Sequence, residues 1–302
     1  MFCRQAGAGD RIDLDQKSLP PMTGGSQYIV ASRRGIFLVD HDGHRQIAPG
    51  YFFGVTIQAG DLYCFRTVAS PEARDNPDSG SIVRYQYRDG ALGGPDILVE
   101  GLDYNCHQVD FFDGSFWVVD SGRQRVLEYD SGWRLVAEHR IGPEAARRGP
   151  DDPHVNSFLG RGDRIWLMFH NVYRGRPSEI VECDRCFREI GRTILPSSAC
   201  HDLVALEDGS LLYCESSKGR IASPGGHAHM IDSLYTRGLA VGTDEIAVGS
   251  SLYGARTARG LLPGFVTFLD RDYNRIARIH LPAAPTQIRR LDGADLSLSQ
   301  PR

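Results

Sequence analysis

One pattern recurs along the chain and constrains its fold more than any other feature. It consists of a short apolar segment, a Gly or Asp-Gly turn, a strongly apolar segment and a polar corner. The three clearest copies begin at His107, His154 and His201, so consecutive copies start 47 residues apart. Fainter copies begin at Gly54 and Arg237. Self-similarity at an interval of this length is typical of proteins built from packed structural repeats.

Two further strand-like segments follow each hairpin, as in residues 125–136 and 264–279. Four short strands in roughly 35–50 residues make one blade of a β-propeller. Residues 286–293 resemble one more inner strand, and residues 28–47 resemble the outer strands of a blade that lacks its own first strand. The sequence therefore predicts an all-β, six-bladed β-propeller closed by N-terminal strands pairing with a C-terminal strand, with five blades as the fallback.

The remaining segments complete the predicted domain organisation. Residues 26–302 are expected to form a single propeller domain, residues 1–25 a flexible leader, and residues 143–148 a turn of helix between blades. With a formal net charge of -4, the chain has no excess positive charge that would attract nucleic acid or an anionic membrane. No apolar run reaches the ~18 residues of a membrane helix. Seven scattered cysteines and the absence of a signal-like start favour a reducing cytoplasm. The oligomeric state is left open.

The spacing of the three histidines predicts where the functional centre lies. The first strand of every propeller blade lines the central channel, and all first strands run in the same direction. Because His107, His154 and His201 each open such a strand, we expect three imidazoles at one depth around the axis. Three convergent neutral imidazoles with an open side suit a catalytic divalent metal. Zinc fits the ligands best, with iron, copper or nickel as alternatives.

Polar residues are expected to surround this centre, because the second strand of each blade returns to the same face. Arg237 lies on a first strand at the level of the histidines, and Asn156 and Asp202 follow two of them as partners that would orient the imidazoles. For catalysis the predicted residues are His170, Glu215, Arg237 and Tyr253. For substrate binding they are Arg66, Arg123, Asn156, Arg174 and Lys218. The expected partner is a small polar or anionic molecule.

Two of these segments resemble a known family of six-bladed propellers. His154-Val-Asn-Ser157 with its following strand, and the segment from His201 to Gly209, are similar to motifs of the arylsulfate sulfotransferases. The resemblance implies sulfuryl transfer through a channel histidine, with His154 and His201 as nucleophile and acid/base and His107 as a third member. His170 and Asn171 stand where that family has an arginine, and Arg174 is only nearby.

A looser resemblance is to the NHL-type and gluconolactonase-type propellers. Among them, peptide-amidating lyases hold zinc with three channel histidines, which implies metal chemistry. The sequence thus predicts a metal-dependent lyase, hydrolase or isomerase. One alternative is metal-free group transfer of the sulfotransferase kind. The other is a propeller without enzymatic activity that binds a protein or ligand on one face.

Overall fold

A computed structural model describes residues 26–68, 75–88, 91–142, 149, 151–254, 262–292 and 295–299. The expected leader 1–25 and the expected helical turn 143–148 lie outside these residues. Six four-stranded antiparallel sheets are arranged as a six-bladed β-propeller, as the repeats predict. The fallback of five blades is wrong, because both chain ends contribute to a sixth sheet.

Blade 1 is shared between the two ends of the described chain. Its inner strand is β24 (Pro285–Arg290), followed outwards by β1 (Tyr28–Ser32), β2 (Gly35–Val39) and β3 (His44–Pro49). β1 pairs with β24 from Tyr28 opposite Arg290 to Ser32 opposite Pro285. The pairing closes the ring and removes the sheet edges that an open propeller would expose. It also confirms the predicted assignment of the inner and outer strands.

Each of the other blades uses four consecutive strands, numbered from the channel outwards. Blade 2 contains β4 (Tyr51–Gln58), β5 (Asp61–Thr67), β6 (Gly80–Arg88) and β7 (Ala91–Leu102). Blade 3 contains β8 (Cys106–Phe112), β9 (Ser115–Asp120), β10 (Arg125–Tyr129) and β11 (Leu135–Arg140). Blade 4 contains β12 (Val155–Arg161), β13 (Arg164–Phe169), β14 (Glu179–Asp184) and β15 (Glu189–Ile194).

The last two complete blades follow the same plan. Blade 5 contains β16 (His201–Ala205), β17 (Leu211–Glu215), β18 (Arg220–Ala222) and β19 (Ala228–Met230). Blade 6 contains β20 (Tyr235–Val241), β21 (Glu245–Ser251), β22 (Gly264–Asp270) and β23 (Arg275–Leu281). The inner strands β24, β4, β8, β12, β16 and β20 contact one another in a closed ring. The channel is the space that this ring encloses.

The hydrophobic pattern of each strand follows its distance from the channel. The second strand β9 is buried along almost its whole length, because neighbouring blades cover both of its faces. The outer strand β23 alternates between exposed and half-buried residues along most of its length, because one face meets solvent. Apolar side chains collect into clusters between adjacent blades; one such cluster joins blades 3 and 4 through Trp117, Val119, Phe158 and Leu167. The core is therefore a ring of interfaces between blades.

A C-terminal segment, residues 295–299, crosses the end of the channel that lies opposite the histidines. Ser299 donates from Oγ to the Asp110 carboxylate over 2.7 Å, and the Gly160 backbone N–H donates to that hydroxyl over 2.8 Å. Arg289 donates to the Ser297 carbonyl over 3.2 Å, and Leu296 N–H donates to the Val241 carbonyl over 2.8 Å. The segment thereby ties blades 3, 4, 1 and 6 together. It forms a floor that sequence reasoning did not predict.

Candidate functional site

A bulge interrupts the inner strand of every blade near the histidine level. The pairing register shifts between Cys106 and Gln108 in β8 and between Val155 and Ser157 in β12, for example. The inner strands of the other blades carry shifts at the corresponding level. A bulge turns residues out of the regular ladder and is common next to active sites. Here the bulges free polar side chains to face the channel and the neighbouring blade.

The freed side chains fasten each blade to the next. Gln108 accepts from Phe158 N–H over 2.8 Å and donates to the Phe158 carbonyl over 2.7 Å. Asn156 donates to the Cys200 carbonyl over 2.9 Å, and Asp202 accepts from Gly238 N–H over 2.8 Å. Asn156 and Asp202 therefore join blades, and in these bonds neither orients an imidazole as the sequence suggested.

Histidines form a continuous row at the opening of the channel. Ring centroids are 4.8 Å apart from His107 to His154, 5.2 Å from His154 to His170 and 4.8 Å from His170 to His201. All four side chains are buried. His107, His154 and His201 are thus gathered in one place as expected. His170, predicted as a neighbouring acid or base, stands in the row between two of them.

The three predicted histidines do not occupy identical backbone positions. His107 is the second residue of β8, His201 is the first of β16, and His154 directly precedes β12. His154 adopts a left-handed backbone conformation with φ of 50°. Its N–H donates to the Asp152 carboxylate over 2.6 Å, which helps to hold this sparsely populated conformation. The bulges and this turn compensate for the unequal register and bring the rings together.

Backbone carbonyl groups define the tautomers of two histidines. His107 Nδ1 lies 3.0 Å from the Asn105 carbonyl oxygen, and His201 Nδ1 lies 3.1 Å from that of Ala199. A carbonyl oxygen only accepts, so each Nδ1 carries the proton and each Nε2 keeps its lone pair. Ser216 Oγ also lies 3.0 Å from His201 Nδ1. Both imidazoles are therefore held in the tautomer that can accept a proton, or bind a metal, at Nε2.

Both imidazoles are kept neutral by their surroundings. Burial lowers the pKa of His107 well below its ordinary value, and His154 and Arg237 lower it further. Burial likewise lowers the pKa of His201, with Arg237 and His170 adding to the effect. Desolvation and a nearby like charge both disfavour the imidazolium form. The charge of Arg237 therefore acts on the pKa of both histidines.

A small cavity lies beneath the row, with room for about one water molecule. Arg237 lines it together with His107 and His201, and Thr286 and Gln287 from blade 1 complete the opposite wall. Gly238 in the β20 bulge has φ of 87°, and a Cβ there would lie 2.9 Å from Ile288 Cγ1. Glycine thus permits the backbone turn next to Arg237. The cavity therefore holds one water-sized polar group, such as a single oxygen atom of a bound molecule.

Two predicted catalytic residues lie apart from the cavity. Glu215 is fully buried; burial alone would raise its pKa, but hydrogen bonds from Arg220, Ser197 and Lys218 outweigh it and lower the pKa. Its carboxylate is held by ion pairs to Lys218 at 2.9 Å and to Arg220. This arrangement suits a structural anion better than a proton donor. Tyr253 lies on the rim, 67% exposed, with its ring 5.0 Å from that of Tyr235.

The predicted substrate-binding cations are spread around the rim. Arg66 is half-buried near the end of β5, opposite Phe52. Arg123 pairs with Asp78 at 2.5 Å. Arg174 donates to the Asp151 carbonyl over 2.9 Å. Lys218 is paired with Glu215. The remaining predicted residue, Asn156, carries no charge; it lies deeper and lines the cavity. Among the predicted cations, only Arg237 lines the cavity.

Sequence reasoning missed Phe53 and Tyr235, the aromatic residues that continue the row at its two ends. The Phe53 ring lies 5.4 Å from that of His107, and the Tyr235 ring lies 5.7 Å from that of His201. The centroid of the Tyr173 ring lies 5.4 Å from that of the His154 ring. Phe53 and Tyr235 stand near the start of inner strands, at the level where three other blades carry histidine. The same blade-to-blade comparison that located the histidines would have found them.

No protein-family model and no curated protein matches the sequence. Solved structures with a similar fold include a chain of a nidogen/laminin complex, with 11% identity over 89% of this chain and 99% of that one and a TM-score of 0.60. The WD40 β-propeller domain of Doa1 has 13% identity over 87% and 81%, with a TM-score of 0.55. A streptogramin B lyase has 12% identity over 90% and 88%, with a TM-score of 0.52.

At such low identity these likenesses establish the fold alone. The resemblance to arylsulfate sulfotransferases that the sequence motifs suggested is not shown by these comparisons. No helix in the described ranges is long and apolar enough to cross a membrane. The six cysteines in the described part of the chain are free. By fold, the chain is a six-bladed β-propeller, with a histidine row at one end of its channel.

Proposed function

We propose that this propeller is an enzyme of the lyase, hydrolase or isomerase type, acting on a small polar or anionic substrate at the histidine row. One observation carries the proposal: His107 and His201 each keep an Nε2 lone pair, and Arg237 lines the same small cavity. A lone-pair base beside a fixed cation is the arrangement needed to bind an anion and remove a proton close to its charge.

Substrate charge would adjust the basicity of this site. In the free protein Arg237 helps to lower the pKa of both imidazoles. An anion bound to the guanidinium would offset that positive charge and raise the pKa values of both imidazoles towards the ordinary value for histidine. A general base works best when its pKa lies near the working pH. Substrate binding would thus make both histidines stronger bases than they are in the free protein, while burial, the largest cause of their lowered pKa, continues to act.

A divalent metal held by His107, His154 and His201, with zinc as the best match, is a second candidate. The carbonyl-bound Nδ1 atoms of His107 and His201 favour it, because zinc-binding imidazoles commonly donate their other N–H to a carbonyl or carboxylate. In the described ranges, however, no group of three or more His, Cys, Asp or Glu side chains is arranged to hold an ion. The charge of Arg237 also opposes a cation there. Metal binding stays a proposal.

Turnover by tag-free protein tests the function. Turnover is measured with p-nitrophenyl sulfate, p-nitrophenyl phosphate and p-nitrophenyl acetate as substrates, with and without EDTA. His201→Gln and Arg237→Gln are each expected to lower kcat/KM at least about 100-fold, the usual contribution of a positioned acid or base. His280→Gln, exposed on β23, is the control. Loss of activity in EDTA with recovery on Zn²⁺ would favour the metal route, and unchanged turnover in both channel variants would contradict the proposal.

A further inference from the structure

The cavity beneath the histidine row has polar walls. All nine residues that line it carry polar side chains, and they come from the inner strands of five blades. Its space corresponds to about one water molecule. Small apolar cavities in proteins stay dry, whereas a polar cavity that offers two to four hydrogen-bonding partners holds an ordered water. Both the size and the polarity of this cavity therefore match a single water molecule.

Neutral side chains of the cavity wall are mostly bonded to backbone groups of other strands. Thr286 donates to the Phe52 carbonyl over 3.1 Å, and Gln287 accepts from Val55 N–H over 2.6 Å. The amide of Gln108 is bonded to blade 4 through both of its polar atoms. These groups hold the blades together. The strongest partners for an occupant of the cavity are therefore the ionisable side chains of the wall.

Four ionisable side chains line the cavity, and together they need a partner that both donates and accepts. The guanidinium of Arg237 only donates hydrogen bonds, so it needs an acceptor. The Nε2 lone pairs of His107 and His201 need a donor. Asp202 accepts from Gly238 N–H, and its carboxylate has further lone pairs that also need a donor. An oxygen of a carbonyl, carboxylate or phosphate group has no proton to donate, whereas water donates two hydrogen bonds and accepts two.

We propose that this cavity binds the water molecule that attacks the substrate, which makes the enzyme a hydrolase rather than a lyase or an isomerase. The inference rests on the proposed function and names the second reactant at the same site. The substrate then lies above the row, at the opening of the channel. Arg237 contacts both places, because it lines the cavity and its Cζ lies 5.3 Å from the ring centroid of Phe53, which continues the row.

Hydrolysis at this site balances without any other reactant. Nε2 of His107 or His201 takes one proton from the cavity water, and the water oxygen forms a bond to the electrophilic carbon, phosphorus or sulfur atom of the substrate. The bond from that atom to the leaving oxygen breaks, and the leaving oxygen keeps the electron pair. The imidazolium then gives its proton to that oxygen. The charge of Arg237 stabilises the negative charge that develops during the attack.

The rival use of the same residues is a histidine nucleophile. In that route an Nε2 lone pair attacks the substrate, the leaving group departs, and a second molecule later takes the transferred group from the histidine. A covalent intermediate of this kind accumulates in the first turnover and can react with other acceptors. Direct attack by a cavity water produces no such intermediate. The two routes therefore differ in their products and in the first turnover.

Product analysis with full-length, tag-free protein distinguishes the routes. The probes are p-nitrophenyl acetate, phosphate and sulfate, and only the turnover that is lost in His201→Gln is considered. Attack by the cavity water predicts p-nitrophenol release that is linear from the first turnover, and no transfer of the group to added methanol. A burst of p-nitrophenol close to the protein concentration, or a methyl ester among the products, would overturn the inference.

A cavity-filling variant tests the position of the water. Thr286→Leu places a larger apolar side chain in the cavity wall and leaves the histidines and Arg237 in place. It is expected to lower kcat at least about tenfold and to change KM less than about twofold, because the substrate lies outside the cavity. Thr193→Leu, at an exposed position of β15, is the matched control and should keep both wild-type values. An unchanged kcat in a folded Thr286→Leu protein would contradict the inference.

A crystal structure of the wild-type protein tests the water directly and does not depend on any variant. An ordered water is expected within hydrogen-bonding distance of Arg237 and of His107 or His201. A cavity without it, or one that holds another group, would overturn the inference.

These experiments separate the inference from the proposed function. Turnover that depends on His201 and Arg237, but shows a burst or transfer to methanol, would leave the enzyme intact and rule out the attacking water. Turnover that is unaffected by both substitutions would contradict the proposed function, and an ordered water in the cavity would then be a structural one.

Discussion

At the scale of single residues, the environment of His107 and His201 determines what the site can do. Both rings donate from Nδ1 to a backbone carbonyl, and both are buried near Arg237. Burial in water-poor surroundings and a nearby cation act in the same direction, towards the neutral imidazole. The two histidines are therefore uncharged in the folded protein, whereas in the unfolded chain they can take up protons.

This difference predicts a pH-dependent stability. Because the pKa values of His107 and His201 lie well below 6.5 in the folded protein, the unfolded chain binds more protons as the pH falls below about 6.5. The free energy of unfolding should then decrease on acidification, by up to about 1.4 kcal/mol per pH unit for each histidine. Urea unfolding at pH 7.5, 6.5 and 5.5 measures it.

The variant His107→Gln/His201→Gln should show a shallower decrease over that range, since glutamine takes up no proton. His280→Gln, on the outer strand β23, should keep the wild-type dependence. If the double variant shows the same slope as the wild type, the two imidazoles are not held neutral by the fold.

At the scale of elements, the bulged inner strand is the unit that joins structure to function. The bulge turns polar side chains out of the regular strand ladder, and these side chains form hydrogen bonds to the next blade. Gln108 is the clearest case, because its amide satisfies both backbone groups of Phe158. The histidine row depends on these bonds, since they determine the separation of the inner strands.

Gln108→Met tests this role because it preserves volume and removes both hydrogen bonds. The buried N–H and carbonyl of Phe158 would lose their partner, which should lower the free energy of unfolding by about 3 kcal/mol. Gln86→Met, at an exposed position of β6, should change it by less than about 0.5 kcal/mol. Chemical denaturation of both variants provides the comparison. Equal stability of the two would show that the bridge between blades 3 and 4 contributes little.

At the scale of the whole molecule, two long-range contacts determine the shape of the channel. Pairing of β1 with β24 closes the ring, and residues 295–299 form the floor. Asp110 accepts from both the backbone N–H and the hydroxyl of Ser299, and burial raises its pKa despite these bonds and the nearby Arg289. The floor leaves the histidine face as the entrance.

Removal of residues 295–302 tests the floor. The variant loses the buried Leu296 and the hydrogen bonds to Asp110 and Gly160, so the free energy of unfolding should fall by at least about 2 kcal/mol. Ser299→Ala keeps the segment and should cost about 1 kcal/mol. Urea unfolding measures both. A truncated protein as stable as the full chain would mean that the segment does not bind the channel in solution.

The repeat pattern was sufficient to predict six blades, the shared blade and the gathering of three histidines. Hydrophobic order and turn residues act locally, so they can be recognised without knowing which strands are neighbours in space. The position of Arg237 at the histidine level was also predicted from this register. Glu215 shows the limit of such reasoning: Lys218 and Arg220 follow it within five residues, but Ser197 lies 18 residues earlier, and only the folded chain shows that all three hold its carboxylate.

Only the tertiary structure decided how the side chains meet. His170 joins the row because β13 returns beside β12, and Phe53 joins it because blade 2 packs on blade 3. Carbonyl contacts that set the tautomers, bulges that shift the register and the floor over the channel all depend on residues distant in the chain or on backbone geometry. Sequence determined which elements form and in what order; packing around a closed ring determined their separations and therefore the chemistry available.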